Sequence, residues 1–308
     1  MPIRTFADLL APFPVQRFLD EYRGRNWLHI EGKPKKVDGV LDWEALNRLV
    51  NMEVWNSQNF LMVQDTKSLP PGAYCRQRVD RTGHTQIVPE PARVEEHLAR
   101  GASLVMNEVE TLVPGLRAFP DIFAEGLGAK SSGNAYVSQK NHQAFDTHFD
   151  RTDVFAVQTL GQKRWRIYEG QIDAPIVHAH FSNIPKAEQE RRKGKVEAEI
   201  VLKAGDVLYL PRGRFHDALA TEGPSIHVSF AVSEPKGLDF LQIMMDEAVL
   251  DSEVRQDLPL DEADLPAYFD RLADRFRDVA RAERTKERGL ALRRSFARPR
   301  PNYRFGNR

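Results

Sequence analysis

The stretch FDTHFDRTDVFAVQTLGQKRWRIYEG, residues 145–170, decides the fold that we expect for this chain. Its segments at 153–160 and 163–170 are short, rich in β-branched and aromatic residues, and separated by Gly161, a pattern typical of adjacent β-strands. Comparable segments occur at 135–139, 198–211 and 225–233. Many short strands at close spacing indicate a sandwich or barrel. We therefore predict a mainly β chain with a double-stranded β-helix, or jelly-roll, core at about 130–235.

Mixed helical and strand patterns precede this core. Residues 14–22 have helical periodicity, residues 27–30 resemble a short strand, and Asp42 can cap the helix that follows it. A strand at 103–109 leads into a helical stretch that we expect Pro114 and Pro120 to interrupt. We assign this α/β flank and the barrel to one domain, residues 1–235.

Residues 236–308 are predicted to form a C-terminal helical extension with a basic tail. The apolar face of its first helix consists of Leu238, Leu241, Met244 or Met245, and Val249. Asp264 is expected to cap a second helix. The apolar stripe of that helix consists of Leu265, Phe269, Leu272, Phe276 and Val279. Packing on the barrel and a homodimer contact both explain this stripe.

Charge is unevenly distributed in a chain whose formal net charge is zero. Residues 246–280 contain eleven acidic and four basic residues, whereas residues 281–308 contain two acidic and ten basic residues. The basic segment can pack on its acidic neighbour, or it can contact an anionic partner such as RNA or the ribosome.

The overall composition, 41% hydrophobic and 29% charged, is that of a globular protein and excludes wholesale disorder. No apolar run approaches the roughly 18 residues of a membrane span, and the N-terminal sequence lacks a signal-peptide layout. Cys75 is the single cysteine, which excludes disulfides within the chain and thiolate metal clusters. We therefore expect a cytoplasmic protein without a membrane partner.

The residues that carry chemistry begin with His148 and Asp150, which are two positions apart at the entry to a strand and therefore share a face. His216 follows in GDVLYLPRGRFHDAL, residues 205–219. Two imidazoles and one carboxylate leave three positions of an octahedron open, which suits Fe(II) that binds a bidentate cosubstrate and O₂. A pair of hydrogen-bonded barrel histidines without iron is the alternative, and a zinc hydrolase is a further one.

A second group of polar residues is predicted to bind an anionic cosubstrate. Lys163 begins a strand, and a lysine inside a small barrel requires an anion such as the distal carboxylate of 2-oxoglutarate. Asn134 and Tyr136 share one face of the preceding strand and can donate to the same carboxylate. Lys163 on the outer face of the strand is the alternative. Asp146, Asp153 and Gln158 can support the ligands or lie on the surface.

These motifs, together with SIHVSF at 225–230, resemble those of the Jumonji-C (JmjC) oxygenases of the cupin-4 type, which include the ribosomal-protein hydroxylases. The resemblance extends over roughly residues 14–233 and is densest at 134–229. It implies that His148, Asp150 and His216 bind iron and act in catalysis. It also implies that Lys163, Asn134 and Tyr136 contact 2-oxoglutarate. His227 is placed near the same end of the site, in a structural role or in direct contact.

The resemblance implies an Fe(II)- and 2-oxoglutarate-dependent dioxygenase that hydroxylates a peptide or protein side chain with O₂. The 72 residues after Lys236 suit helices better than the winged-helix domain of ribosomal-protein hydroxylases. A peptide natural product is therefore considered beside a ribosomal protein as the substrate. The alternatives are an N-methyl demethylase of the same class and a non-enzymatic cupin-fold binding protein.

Overall fold

The structure is a computed structural model that describes residues 2–138, 146–220 and 223–297. The strands in these ranges are β1 (Leu28–Ile30), β2 (Phe60–Gln64), β3 (Lys67–Ser68), β4 (Cys75–Val79), β5 (Thr85–Pro89), β6 (Ser103–Met106), β7 (Lys130–Ser138), β8 (Asp153–Leu160), β9 (Gln162–Gln171), β10 (Val196–Lys203), β11 (Val207–Leu210), β12 (Arg214–Ala220) and β13 (Ser225–Ser233).

The helices in these ranges are α1 (Phe6–Leu10), α2 (Val15–Arg17), α3 (Trp43–Val50), α4 (Pro71–Tyr74), α5 (Pro91–Ala99), α6 (Phe119–Leu127), α7 (Ala179–Ser182), α8 (Lys186–Lys193), α9 (Gly237–Ala248), α10 (Leu265–Arg281) and α11 (Glu283–Phe296). A π-helical turn, Phe18–Tyr22, continues α2, and 3₁₀ turns occur at Pro34–Val37, Val109–Thr111, Pro114–Leu116 and Glu262–Asp264. None of the helices in the described ranges is long and apolar enough to cross a membrane.

The core consists of two antiparallel sheets, and the chain crosses between them several times. The large sheet has the order β1-β11-β8-β13-β7-β6-β2-β3, and the small sheet has the order β10-β9-β12. A backbone bridge between His148 and His216 adds one more segment to the edge of the small sheet. Between β7 and β13 the chain thus crosses repeatedly between the sheets, as in a jelly roll: β7, β8, β11 and β13 lie in the large sheet, and β9, β10 and β12 lie in the small sheet. The predicted jelly-roll core with flanking helices is confirmed.

The largest hydrophobic core lies between the outer face of the large sheet and the N-terminal helices. The ring of Phe123 on α6 lies 5.1 Å from that of Phe155 on β8, and Phe119 stacks on Phe230 of β13 at 4.3 Å. Successive residues of β8 point to opposite faces, so Phe155 joins this core while its neighbour Val154 faces the small sheet. The space between the sheets is therefore lined by the inner faces of both, and the polar site lies there.

Two predicted helix features of the flanks differ from the structure. Pro120 does not interrupt α6, because it lies in the first turn of the helix, where a missing backbone N–H costs nothing. Asp264 precedes α10 at the cap position, but its side chain makes no capping hydrogen bond. Asp261 instead accepts from the Ala263 N–H in the preceding 3₁₀ turn. Asp42 caps α3 as predicted, since it accepts from the Ala45 N–H at 2.8 Å.

The C-terminal helices form a layer of their own, in which α10 packs mainly against α9 and α11. The predicted apolar face of α9 points outward. Its side chains are 51–57% exposed, and they are Leu238, Leu241, Met245 and Val249. Several arginines of α11 are occupied within the chain. Arg284 and Arg288 form ion pairs with Glu247, and Arg293 donates to the carbonyl of Gly128 at 3.0 Å. Residues 298–308 of the basic tail lie outside the described residues.

Candidate metal centre

His148 and His216 are brought side by side by backbone pairing. The His148 N–H donates to the His216 carbonyl at 3.0 Å, and the His216 N–H donates back to the His148 carbonyl at 2.9 Å. The Asp150 carbonyl in turn accepts from the Gly213 N–H at 2.8 Å. This pairing aligns the segment around His148 with β12, so all three predicted ligands lie at one end of the barrel.

The side chains of the three residues converge. One donor atom from each of His148, Asp150 and His216 lies within 4.8 Å of the other two. Nε2 of His216 is 3.5 Å from Oδ2 of Asp150, and the two imidazole centroids are 4.6 Å apart. The H-x-D spacing and the distant His216 therefore form the predicted cluster.

The tautomers of both imidazoles suit a metal. Nδ1 of His216 lies 3.0 Å from the Arg214 carbonyl, and Nδ1 of His148 lies 2.8 Å from the Asp146 carbonyl. Because a carbonyl only accepts, each Nδ1 carries a proton, and Nε2 is the nitrogen of each ring that can bind a metal. Burial, assisted by the adjacent imidazole of His148, lowers the pKa of His216 to about 4, so this ring is neutral at physiological pH.

Two imidazole nitrogen donors and one carboxylate oxygen fit a divalent first-row metal that keeps open coordination positions. Hydrogen bonds from Nδ1 to a backbone carbonyl are the usual support of metal-bound histidine. The residues present thus fit Fe(II).

The three residues line a cavity of about 140 Å³ between the sheets. Lys163 lies in its wall and is 2% exposed. Among the described residues, the one hydrogen-bond partner of its Nζ is the hydroxyl of Ser138, at 3.1 Å. Burial lowers the pKa of Lys163 to about 8, because no carboxylate in the described part of the chain compensates the charge. The expected placement of Lys163 inside the barrel is thus observed, and its charge faces a cavity that can admit an anion.

Asn134, Tyr136 and His227 line the same cavity. The large sheet places Tyr136 opposite His227, and their rings are parallel with centroids 4.7 Å apart. Burial raises the pKa of Tyr136 to about 12, so its hydroxyl is a hydrogen-bond donor at neutral pH. Nδ1 of His227 is buried and has no hydrogen-bond partner among the described residues. An orphaned polar atom in the cavity wall favours contact with a polar ligand over a purely structural role.

A buried carboxylate supports the segment that carries His148. Asp217, 0% exposed, accepts two hydrogen bonds from Arg166, at 2.8 and 3.0 Å, and one from the Tyr168 hydroxyl at 2.7 Å. The Thr147 hydroxyl, next in sequence to His148, donates to the same carboxylate at 2.8 Å. Burial alone would raise the pKa of Asp217, but these hydrogen bonds outweigh it and lower the pKa. The carboxylate therefore joins both histidine-bearing segments to β9.

Sequence reasoning missed this network and part of the cavity wall. Trp165 and Ser229 line the cavity, two positions after Lys163 and His227 respectively, and the alternation of a strand could have identified both. The side chains of Asp153 and Gln158, considered as supports of the ligands, have other roles. Asp153 accepts from the Tyr209 hydroxyl and the Arg212 N–H, and Gln158 donates to residues of β8 and β13. Asp146 contributes through its backbone carbonyl.

Residues 117–240, which contain the whole cluster, match the JmjC domain family. The chain contains a JmjC domain. The resemblance stated from the sequence is thereby confirmed at the level of this domain, which covers the jelly-roll strands and the start of α9.

Curated relatives of the JmjC domain include the bifunctional lysine-specific demethylase and histidyl-hydroxylase NO66 of several insects. The Drosophila mojavensis protein is 25% identical over 260 residues, which are 83% of this chain and 28% of the relative. The Aedes aegypti protein is 26% identical over 264 residues, which are 83% of this chain and 40% of the relative. The chain thus spans less than half of the length of these relatives.

The fold is also similar to that of YcfD, a ribosomal oxygenase from Escherichia coli. The structure of YcfD in complex with cobalt and 2-oxoglutarate has a TM-score of 0.59 at 17% identity, and the match covers 93% of this chain and 71% of that chain. Another YcfD structure, with cobalt and succinic acid, has a TM-score of 0.58 at 18% identity. At this level of identity the similarity concerns the fold.

Proposed function

We propose that this protein is an Fe(II)- and 2-oxoglutarate-dependent dioxygenase that hydroxylates a peptide or protein side chain. One observation carries the proposal: a cluster of two histidines and an aspartate shares a small cavity with a buried lysine that has no carboxylate partner among the described residues. A metal-binding triad alone suits several reactions, whereas the triad and the buried cation together suit a metal-chelating dicarboxylate.

His148, Asp150 and His216 would hold the iron and leave adjacent positions for 2-oxoglutarate and O₂. Iron(II) with 2-oxoglutarate supplies activation of O₂ for the oxidation of an unreactive C–H bond. The ammonium of Lys163 would bind the distal carboxylate, because a buried cation gains most from an anion in a low-dielectric site. Tyr136 and Asn134 would donate to the same carboxylate. Together these residues fix the orientation of the cosubstrate and exclude water from its far end.

The proposed substrate is a protein or peptide rather than a small metabolite. The NO66 relatives are named for lysine and histidyl residues, and YcfD is described as a ribosomal oxygenase. A ribosomal protein and a peptide natural product both fall within this class. Demethylation of a methylated lysine uses the same cofactors, and the NO66 name includes that activity. A non-enzymatic cupin would have no need of a buried cation beside a metal cluster.

The test has two parts, an assay of 2-oxoglutarate turnover and a search for the hydroxylated substrate. Purified protein with Fe(II), 2-oxoglutarate and air should form succinate slowly, and His216→Ala should abolish this. Mass spectrometry of ribosomal proteins and small peptides from cells with and without the protein should reveal the mass of one added oxygen. Loss of a methyl group from a methylated peptide would instead favour the demethylase. Absence of succinate under all conditions would contradict the proposal and favour a non-enzymatic cupin or a zinc hydrolase.

We also propose that α9 mediates a homodimer. Its outward face, defined by Leu238, Leu241, Met245 and Val249, is a contiguous apolar stripe, and such stripes on soluble proteins usually mark interfaces. Leu241→Glu should convert the dimer to a monomer in light scattering. Val79→Glu, at a 66% exposed apolar residue on β4, is the matched control and should leave the mass unchanged. A wild-type monomer would contradict the proposal.

Two further parts of the proposal concern location and nucleic acid. A cytoplasmic location agrees with a single, free cysteine, Cys75, and cell fractionation would test it. RNA contact by the basic tail depends mainly on residues 298–308, since Arg284, Arg288 and Arg293 are occupied within the chain. Removing residues 298–308 should weaken RNA binding if that contact exists.

A further inference from the structure

A second concavity, of about 380 Å³, lies beside the metal cavity between the N-terminal π-helical turn and the start of α9. Five basic side chains line it: Arg23, Arg25, Arg151, Arg212 and Lys236. We call this set the basic basin. Its lining includes two carboxylates, Asp153 and Glu234, so the basin has an excess of three positive charges.

The charge of the basin is largely uncompensated within the described chain. Glu234 is engaged by Arg23 in an ion pair. Asp153 is engaged by the Tyr209 hydroxyl at 2.7 Å and the backbone N–H of Arg212 at 3.0 Å. The guanidinium of Arg212 forms neither a hydrogen bond nor an ion pair with any described residue.

The other cations of the basin have neutral partners. Nζ of Lys236 donates to the Ser233 hydroxyl at 2.9 Å and to the Glu234 carbonyl at 3.0 Å. Arg151 donates to the hydroxyl of Ser182, and Arg25 donates to a backbone carbonyl. Burial and the nearby charge of Arg212 lower the pKa of Lys236, and these two effects outweigh the opposing charges of Asp239, Asp153 and Glu234.

The basin adjoins the metal cavity. Thr152 lines both concavities, and Arg151 directly follows Asp150 in the sequence. A molecule whose reacting carbon lies at the metal cavity can therefore extend past Thr152 into the basin. An anion bound in the basin would therefore belong to the substrate. It would not belong to 2-oxoglutarate, whose distal carboxylate Lys163 on β9 would bind.

The lining distinguishes between classes of anion. Planar guanidinium groups match carboxylates and phosphates alike. Sites for single-stranded nucleic acid, however, combine a basic groove with aromatic side chains on which bases stack. None of the described residues that line the basin is aromatic. A carboxylate on a peptide fits this surface better than a nucleic acid.

We infer that the basic basin binds an acidic side chain of the peptide substrate, close in sequence to the residue that is oxidised. This inference rests on the proposed function and narrows its substrate class to peptides with aspartate or glutamate beside the reacting residue. Arg212 is the central contact, because it is partly buried and its guanidinium interacts with Asp153 only through its charge, without a hydrogen bond or ion pair to any described residue.

The test measures binding of three probes to the full-length protein by fluorescence anisotropy: capped hexaglutamate, capped hexaglutamine and hexauridylate. Iron and 2-oxoglutarate are omitted, so the result does not depend on oxygenase activity, and a failure of the proposed function would be detected separately by the succinate assay. Hexaglutamate should bind in a salt-dependent manner. Arg212→Ala should weaken it about tenfold or more, as expected for a lost charge-assisted contact.

Two variants control for folding and for general charge. Arg25→Ala, at an exposed position of the basin, should give a smaller loss in the same direction. Arg255→Ala, at an exposed arginine outside the basin, should leave binding unchanged. The inference is overturned if hexaglutamine binds as tightly as hexaglutamate, if hexauridylate binds more tightly, or if Arg212→Ala behaves like Arg255→Ala.

Discussion

Replacing Lys163 by methionine distinguishes the residues that bind 2-oxoglutarate from those that bind the metal. The substitution keeps most of the side-chain volume and removes the buried ammonium that faces the cavity. If 2-oxoglutarate pairs with this ammonium, loss of one partner of a buried ion pair costs about 3–5 kcal/mol. The dissociation constant for 2-oxoglutarate should therefore rise by roughly two to four orders of magnitude. Metal affinity should change by less than about threefold, because Lys163 contacts none of the three proposed ligands.

Although Lys163→Met should weaken the binding of 2-oxoglutarate, it should stabilise the ligand-free protein. Burial depresses the pKa of Lys163 from 10.5 to about 8, which corresponds to about 3 kcal/mol at most. Below pH 8 the native state bears this full cost, and the cost disappears as the pH rises from 8 to 10.5. Lys163→Met should therefore be more stable than the wild type at pH 7, and the difference should shrink above pH 8.

The assays are anaerobic calorimetric titration of 2-oxoglutarate into the Mn(II)-loaded protein and urea unfolding of the metal-free protein between pH 7 and 10. Lys203→Met is the matched control, since Lys203 is an exposed lysine on the adjacent strand β10. It should alter neither measurement. Equal losses of metal and 2-oxoglutarate affinity in Lys163→Met, or unchanged 2-oxoglutarate affinity, would refute the reasoning.

Three other substitutions give distinct outcomes. Asp217→Asn should lower metal affinity, and it should lower the free energy of unfolding by about 1–3 kcal/mol, because an amide replaces a carboxylate that accepts hydrogen bonds from Arg166, Tyr168 and Thr147. Titration with Co(II) and urea unfolding measure the two effects, and unchanged metal affinity would contradict the supporting role. Tyr136→Phe should weaken the binding of 2-oxoglutarate by about ten- to a hundredfold, as expected for one hydrogen bond to a carboxylate, and it should leave metal binding unaltered in calorimetric titration. Phe155→Ala should reduce the free energy of unfolding by about 3–5 kcal/mol in urea titration, and a loss below about 1 kcal/mol would show that the aromatic core is misplaced.

The site residues that the sequence identified are those whose positions depend on strand alternation. Asn134 and Tyr136 are two residues apart on β7 and therefore share a face. His148 and Asp150 have the same spacing, but they precede β8, and the backbone bridge from His148 to His216 places them at the cavity. The strand period left both faces open for Lys163, and its buried placement is decided by the structure. These local rules hold in the structure because the jelly roll has a single interior into which one face of each strand points.

The features that sequence reasoning missed depend on distant pairing. Asp217 meets Arg166 because β12 and β9 pair in that register, and it meets Thr147 because a separate segment bridges to β12. The basic basin likewise joins the N-terminal turn at Arg23 with Arg212 in the turn before β12. Nothing in the local sequence fixes such registers or contacts.

The helical flanks show a further limit of periodicity. The period of α9 correctly placed Leu241 and Val249 on one face, but it could not determine that this face is exposed rather than packed on the barrel. Pro120 shows the effect of a boundary: a proline breaks a helix interior but is accommodated in the first turn. Because α6 begins at Phe119, Pro120 lies in its first turn and does not interrupt the helix as predicted.

The most direct test of the central claim is an anaerobic titration of the full-length protein with Fe(II) and 2-oxoglutarate, followed by visible absorption. The account predicts a metal-to-ligand charge-transfer band that requires both components, saturates at one iron per chain and is lost in His148→Ala. Absence of the band in the folded wild-type protein, or its persistence in His148→Ala, would contradict the assignment of His148, Asp150 and His216 as the site that binds iron and 2-oxoglutarate.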